Sequence, residues 1–492
     1  IIVAVAVVFA LIVSFALVGI GKIKLANGDF KTEPEYATKI FGTDIISIEI
    51  FADEDDWQQM LDNAINEEFI KVDVIVNGEK FRNVGIRPKG NSSLTQVAAS
   101  DSDRYSFRLQ FDEYVKGQTC FGLESFVVNN MIQDNTYMKE YISYDLMREA
   151  GVDAPYFGYA NIKVNGENWG LYLAVELYND SYEERVFGDT SGMLYNVKSM
   201  DMGGGGGNRP GGNFPAMPDM QNGAPPMPFD GQFPQMPNAQ QGAADNAGEN
   251  GGENIPGNMG GQAFAPPDGN AMPDFPAPPG QGNGNADSQT QNGQGQREGR
   301  TNNQRGRGGP GSSGGSLEYT DDNIQSYGAI FNNVVGKGAD SDYRRVIKAL
   351  KALSEGTDLE TYFDVDQILR YLAAHTIVVN LDSYSSSMAQ NYYIYERDGK
   401  LTILPWDYNL AWGGFQRGDA SSVINFPIDT PVSGVELSSR PLIAKLFENP
   451  EYLERYHGYL QQLIDNYFAD GKFEEKVKSL DALISDYVKN DP

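Results

Sequence analysis

The chain has 492 residues, a formal net charge of −29 and a sequence pI of about 4.4, with one cysteine and two histidines. So acidic a chain excludes nucleic acid as a main partner, because phosphate backbones are bound by basic faces, and it calls for a cation beside any bound polyphosphate. The lone Cys120 excludes an internal disulfide framework and a cysteine-rich zinc site, and the wide separation of His375 and His457 argues against a His-based metal site or a Ser-His-Asp triad.

Ile1 to Ile20 is an apolar run without a charge, about long enough to span a bilayer. Residues 1–21 are a signal-anchor helix or a secretory signal; with no A-x-A-like cleavage site, the expectation is an anchor that leaves the bulk of the chain outside the cytoplasmic membrane. Residues 22–43 read as a linker. From Asp44 the pattern changes: IISIEIF alternates as a strand, and DEDDWQQMLDNAINEEF reads as a helix with an acidic first turn. KVDVIVNGEKFRNVGIRPKG gives two strands around Asn77-Gly78. A Gly/Ser loop and a strand follow, then a helix over VNNMIQDNTYMKEYISYDLMREAG closed by Gly151. YFGYANIKVNGENWGLYLAVELYND gives two more strands around Asn165-Gly166.

Residues 202–315 are a different material, dense in Gly, Pro, Asn, Gln and Met with almost no β-branched residues. Such a stretch cannot bury enough apolar surface to offset chain entropy, so disorder is expected. Arg297, Arg300, Arg305 and Arg307 near its end read as a solvated segment. Beyond it, LEYTDDNIQSYGAIFNN and DYRRVIKALKAL are helical, and so is the stretch from about Pro441 to Val488. Antiparallel hairpins interspersed with helices predict an α+β fold with a helical C-terminal part.

The most informative stretch is Asp364–Trp412. Asp364 caps an amphipathic helix carrying Ile368, Leu369, Leu372, Ile377 and Val378, on which His375 is a packed helix residue. The helix should end near Asn380–Leu381, leaving Asp382 at its exit. NYYIYE and KLTILPW then pair around Asp398-Gly399. The hairpin sets Asn391 near Asp407, with Asp382 feeding in from the loop. With a two-residue turn Asn391 faces Trp406 and Asp407 points to the other sheet face; a bulge, or a strand ending at Pro405, brings Asp407 round. Two carboxylates and an amide suit a hard divalent cation and a hydroxyl to be oriented; the same acids also read as ordinary loop residues. Arg87 to Ser93, RPKGNSS, is either a phosphate cradle or a plain polar turn, with Arg104 and Arg108 flanking the next strand. Glu176 is either an acid bracing a cation by an ion pair or an edge-strand acid.

These segments in order, VGIRPKGNSS, RYSFRLQFD, FGLESFVVNN, LMREAGVDAPYFGYANIKVNGENWGLYLAVE and NLDSYSSSMAQNYYIYERDGKLTILPWDYNLAWG, resemble the spore-coat CotH kinase family. The resemblance implies an atypical protein-kinase-like fold that binds ATP with Mg2+ or Mn2+ and phosphorylates Ser on extracytoplasmic or spore-coat proteins. By position it implies Asp382 as the catalytic acid, Asp407 and Asn391 as metal ligands, and Arg87, Ser92, Arg108 and Glu176 on the nucleotide side. Two departures stand out: Asn409 replaces an acid in the family's WDxD, and Gln110 stands where a Lys is common, so that either Arg108, Lys89 or Lys198 holds phosphate instead or activity is weak. The resemblance also makes 202–315 an insertion within one kinase-like domain, residues 44–201 and 316–490. The implied partners are a nucleotide, a protein substrate on the cell surface or spore coat, and the membrane through the N-terminal segment. The alternatives are a surface binding or adhesion protein on the same fold with weak or no activity, and a secreted carbohydrate-active enzyme in which paired acids sit beside Trp406, Tyr408 and Trp412.

Overall fold

A computed structural model describes residues 33–198, 314–415 and 420–492. The three hairpin dipeptides do what their chemistry demands: Asn77-Gly78, Asn165-Gly166 and Asp398-Gly399 all have positive φ at both residues. That is the twist a two-residue turn needs to match its flanking strands. The register follows, with Val76 opposite Glu79, Val164 opposite Glu167 and Arg397 opposite Lys400.

The α+β class holds, but the sheet closes in a way the sequence did not announce. Strands β1 (Ile46–Phe51), β2 (Ile70–Val76), β3 (Glu79–Lys89), β4 (Ser106–Gln110), β5 (Ser125–Asn129), β6 (Phe157–Val164) and β7 (Glu167–Glu176) form a closed barrel in the order β1-β2-β3-β4-β5-β7-β6. Closure comes from a parallel pairing of β1 with β6, Ile48 lying opposite Ile162. Ile48, Val74, Ile86, Phe107, Leu109 and Phe126 belong to the first core.

Strand β7 is buried on both faces. Tyr172 and Ala174 join the first core; Leu171, Leu173 and Val175 join a second. This double burial is why LYLAV reads as a continuous apolar run rather than an alternating one. The second core is built on a three-stranded sheet of β8 (Met193–Val197), β9 (Tyr392–Arg397) and β10 (Lys400–Pro405), in the order β10-β9-β8. Helices Asp340–Glu355, Val365–Val378, Pro441–Phe447, Pro450–Leu463 and Lys472–Lys489 pack on it through Leu350, Ile368, Leu442, Tyr456 and Ile484.

The chain on either side of residues 199–313 meets in this second core. β8 pairs with β9, the Lys198 N–H donates to the Ala329 carbonyl at 3.1 Å, and the Tyr392 hydroxyl donates to the Gly315 carbonyl at 2.7 Å. Of the 202–315 segment, only Gly314 and Gly315 are among the described residues.

Several expectations are corrected. Residues 33–43 are not a plain linker: Glu35–Lys39 is a helix, and the buried Tyr36 donates its hydroxyl to Glu176 at 2.7 Å. The helix expected over Val128–Gly151 starts only at Lys139, because Ser125–Asn129 is barrel strand β5. The segment after Leu317 is helical only in two short pieces, a 3-10 helix over Ile324–Tyr327 and an α-helix over Gly328–Phe331. The C-terminal helical stretch breaks at Asn449 and again at Asp470, where φ is +60°. Among the described residues no helix is long and apolar enough to cross a membrane. The expected anchor, residues 1–21, lies outside them, so membrane attachment gains no support.

Candidate active site

Asp364 caps the Val365–Val378 helix by accepting from the Gln367 N–H at 3.3 Å. The helix ends two residues earlier than its apolar pattern suggests, because Val379 adopts a left-handed φ of 44°. A β-branched residue rarely takes that conformation, and here it turns the chain into the loop that carries Asp382. The fully buried Asn380 ties this loop to the next: its amide donates to the Asp407 carbonyl at 2.9 Å, and its carbonyl oxygen accepts from the Asp382 N–H at 3.2 Å.

The hairpin delivers the other two residues. Its last pair is Pro405 with Tyr392. Beyond it, Asn391 and Asp407 both take positive φ, 58° and 63°. The strand therefore ends at Pro405, one of the two ways Asp407 could leave the alternation of the sheet. Asp382, Asn391 and Asp407 line one recess, and Lys89, Asn129 and Glu140 line it with them. Gly90 to Ser93 and Asn130 to Gln133 form more of its wall.

Lys89, at the end of β3, donates to the Asn129 side-chain carbonyl at 3.0 Å, and the Asn129 amide donates to both Glu140 oxygens at 3.1 and 3.0 Å. A buried amide thus bridges a lysine and an acid. Burial and the Asp407 charge push Glu140 up to about 7, although the Asn129 hydrogen bond opposes this. Burial, then Asp407, push Asp382 up to about 6, with Gln390 and Asn391 opposing. Asp407 is itself raised by burial, with Lys89 opposing. Three carboxyls raised in one recess mark a place short of positive charge. Asn391 donates its amide to the Asp382 carbonyl at 2.8 Å, which leaves its own oxygen as the atom to face a cation.

The remaining candidates go elsewhere. Ser92 lines the recess on the first turn of the Ser92–Ala98 helix, and Gly90, at φ +134°, lets the chain pass: a Cβ there would sit 2.7 Å from Ser93 Oγ. Arg108 and Lys198 line a second recess with Tyr178, Asn179, Asn196 and Tyr393. Arg87 lines neither; it pairs with Glu67 and lies over the Phe69 ring. Glu176 is fully buried in an ion pair with Arg185 at 2.5 Å and also accepts from the Tyr156 N–H. Its burial with an arginine already in place makes it a structural acid. Gln110 accepts two hydrogen bonds from Arg108 and donates to Asp112, and Asn409 donates to the Ile132 carbonyl at 3.3 Å. Glu140 and Asn129 were not singled out from the sequence. Little in the local sequence sets them apart, because Asn130, Gln133, Asp134, Asn135 and Lys139 lie in the same stretch.

The family model described as CotH kinase protein matches residues 86–226 and 310–492, more than half of the chain. The chain belongs to the CotH kinase family. Inner spore coat protein H of Bacillus subtilis (strain 168) is 24% identical over 138 residues, which cover 28% of this chain and 35% of that protein. The match therefore spans about a third of the length of that relative. The parts of the chain matched by the CotH model include every residue of the recess named above.

A divalent cation fits this donor set in one way. Among the described residues no group of three or more His, Cys, Asp or Glu could hold a metal. The oxygens on offer are those of Asp407, Asp382 and Asn391. Mg2+ is bound through one or two carboxylates together with water and substrate phosphates, not in an all-protein cage, so the set suits an ion that arrives with a nucleotide.

Proposed function

We propose that the recess transfers the terminal phosphoryl group of ATP, with Mg2+ or Mn2+, to a serine hydroxyl of a surface or spore-coat protein outside the cytoplasm. The observation that carries this reading is the opposition of Lys89, held by Asn129 and Glu140, to Asp382, Asn391 and Asp407 across one recess. Phosphoryl transfer asks mainly for positioning and charge stabilisation, which such an arrangement can supply. The cation, when bound, offsets the charge of the transferring phosphoryl oxygens. Asp407 and Asn391 would hold it, and Lys89 would hold phosphate oxygens.

Asp382 would orient the acceptor hydroxyl and take its proton as the new O–P bond forms and the bond to the leaving phosphate breaks. A carboxyl raised to about 6 is a better proton acceptor than an ordinary aspartate and is still largely ionised at neutral pH. The recess lined by Arg108, Lys198, Tyr178 and Tyr393 is the candidate seat for the rest of the nucleotide.

The carbohydrate reading loses its footing. Trp406 and Tyr408 are buried and offer no open stacking face, and the half-buried Trp412 lines a different recess, with Met138, Ile142 and Phe473, from the one that holds Asp382 and Asp407. Incubation with labelled ATP, divalent cation and Ser-rich coat-type proteins tests the proposal. Transfer by the wild type, lost in Asp382→Asn and Asp407→Asn, supports it. Absence of transfer with intact partner binding would instead favour a binding protein built on this fold.

A further inference from the structure

The loops bearing Asp382 and Asp407 are joined a second time, behind the recess, by a residue the reaction does not touch. His375 lies on the Val365–Val378 helix and is 3% exposed. Its Nδ1 is 2.9 Å from the Tyr408 hydroxyl, next in sequence to Asp407. Its Nε2 is 3.0 Å from Ser383 Oγ and 3.0 Å from Ser385 Oγ, the first of which follows Asp382 directly.

The proton positions follow from the partners. Ser383 donates its hydroxyl to the Asn380 carbonyl at 2.5 Å. Ser385 also turns its hydroxyl to the Asn380 carbonyl, at 3.4 Å, so neither serine has a second proton for the ring; the tautomer that satisfies the network carries its hydrogen on Nε2 and accepts at Nδ1 from the Tyr408 O–H. Burial pushes His375 down to about 4, so the ring stays neutral and keeps this donor–acceptor polarity at physiological pH. Among the described residues no carboxylate hydrogen-bonds to the ring.

We propose that His375 is a positioning residue that fixes the spacing of Asp382 and Asp407 by clamping Ser383 and Ser385 on one side and Tyr408 on the other. The proposal rests on the phosphoryl-transfer reading for its kinetic consequence but not for its structural one. The clamp is specific in direction: it needs one donor and one acceptor on opposite edges of a planar ring. Asn380 sets the backbone of the two acids, and His375 sets the residues that follow them.

The test uses Tyr408→Phe, which removes the hydroxyl and keeps the ring. The control is Thr376→Val, which removes a buried hydrogen bond from Tyr456, at 3.0 Å, on the same helix without touching either acid loop. Transfer rate, nucleotide KM and hydrogen–deuterium exchange are measured for both and for His375→Asn. Misplacement of reacting groups by about an ångström costs on the order of a hundred-fold, so Tyr408→Phe and His375→Asn should each lower kcat about ten- to a hundred-fold with nucleotide KM little changed. The double variant should be no worse than the poorer single one, and Thr376→Val should keep the wild-type kcat. A Tyr408→Phe kcat equal to that of Thr376→Val overturns the clamp. If the wild type itself transfers nothing, the functional reading fails and exchange decides alone: faster exchange in 380–391 and 405–412 for Tyr408→Phe but not Thr376→Val supports the clamp, and equal exchange overturns it.

Discussion

Replacing Asp407 by Asn should make the ligand-free protein more stable at alkaline pH while destroying its proposed function. Glu140 is raised from 4.5 to about 7 and Asp382 from 3.8 to about 6. Both acids hold protons in the folded protein that they release in the unfolded chain, so stability falls as pH rises through the interval between those values. At about 1.4 kcal/mol per unit, the two together set the ligand-free fold back by roughly 6 kcal/mol above pH 7 relative to pH 4. Burial is the larger cause for both and the Asp407 charge the second. Removing that charge should therefore recover only a part, roughly 1–3 kcal/mol, or about 2–5 °C in Tm for a domain of this size. The substitution spares the local backbone, where the Asp407 carbonyl accepts from Asn380 and its N–H donates to the Tyr144 hydroxyl.

Thermal denaturation of wild type, Asp407→Asn and the exposed-site control Asp101→Asn, at about pH 4.5 and about pH 8, reads this directly. Wild type and Asp407→Asn should converge at the lower pH and separate at the higher, the variant being the more stable. Magnesium and ATP at about a hundred times Kd should add about 2.7 kcal/mol to the wild type at pH 8 and nothing to the variant. A variant that is less stable than wild type at pH 8, or one that gains as much as Asp101→Asn, refutes the assignment of a shared field in the recess.

Three further outcomes follow from the same contacts. Glu176→Gln should cost about 3–5 kcal/mol by stranding the buried Arg185, read as a lowered unfolding midpoint in urea, while the folded fraction keeps its nucleotide affinity. Arg87→Ala should likewise leave nucleotide binding largely intact, since Arg87 is held by Glu67 and lines neither recess; fluorescent-nucleotide titration checks this. Asn129→Leu should release Lys89 and leave Glu140 buried without its amide partner, weakening nucleotide binding by about ten-fold or more and raising Glu140 further, which titration across pH would detect.

Much of the local structure was legible because its causes are local. The Asp364 cap and the three type-specific turns follow from neighbours a few residues apart, and the Asp382–Asn391–Asp407 grouping follows from the hairpin register. Barrel closure was not, because it depends on Ile46–Ile50 pairing in parallel with Ala160–Val164, a contact with no signature in either strand. The Lys89–Asn129–Glu140 bridge was missed for a related reason. Asn129 ends a strand that reads as the start of a helix, and Lys89 lies 40 residues earlier. Arg87 has the right chemistry to hold phosphate and Glu176 to brace a cation beside it, but each is already matched by a distant partner, Glu67 or Arg185, that periodicity does not reveal.

The central claim is that Asp407 belongs to a site that binds nucleotide only together with a divalent cation. Calorimetric titration of ATP into the full chain, with magnesium and with chelator, wild type against Asp407→Ala, tests it most directly. The account predicts saturable binding by the wild type that disappears both with chelator and in the variant. Equal binding by the two proteins, or binding indifferent to the metal, would contradict it.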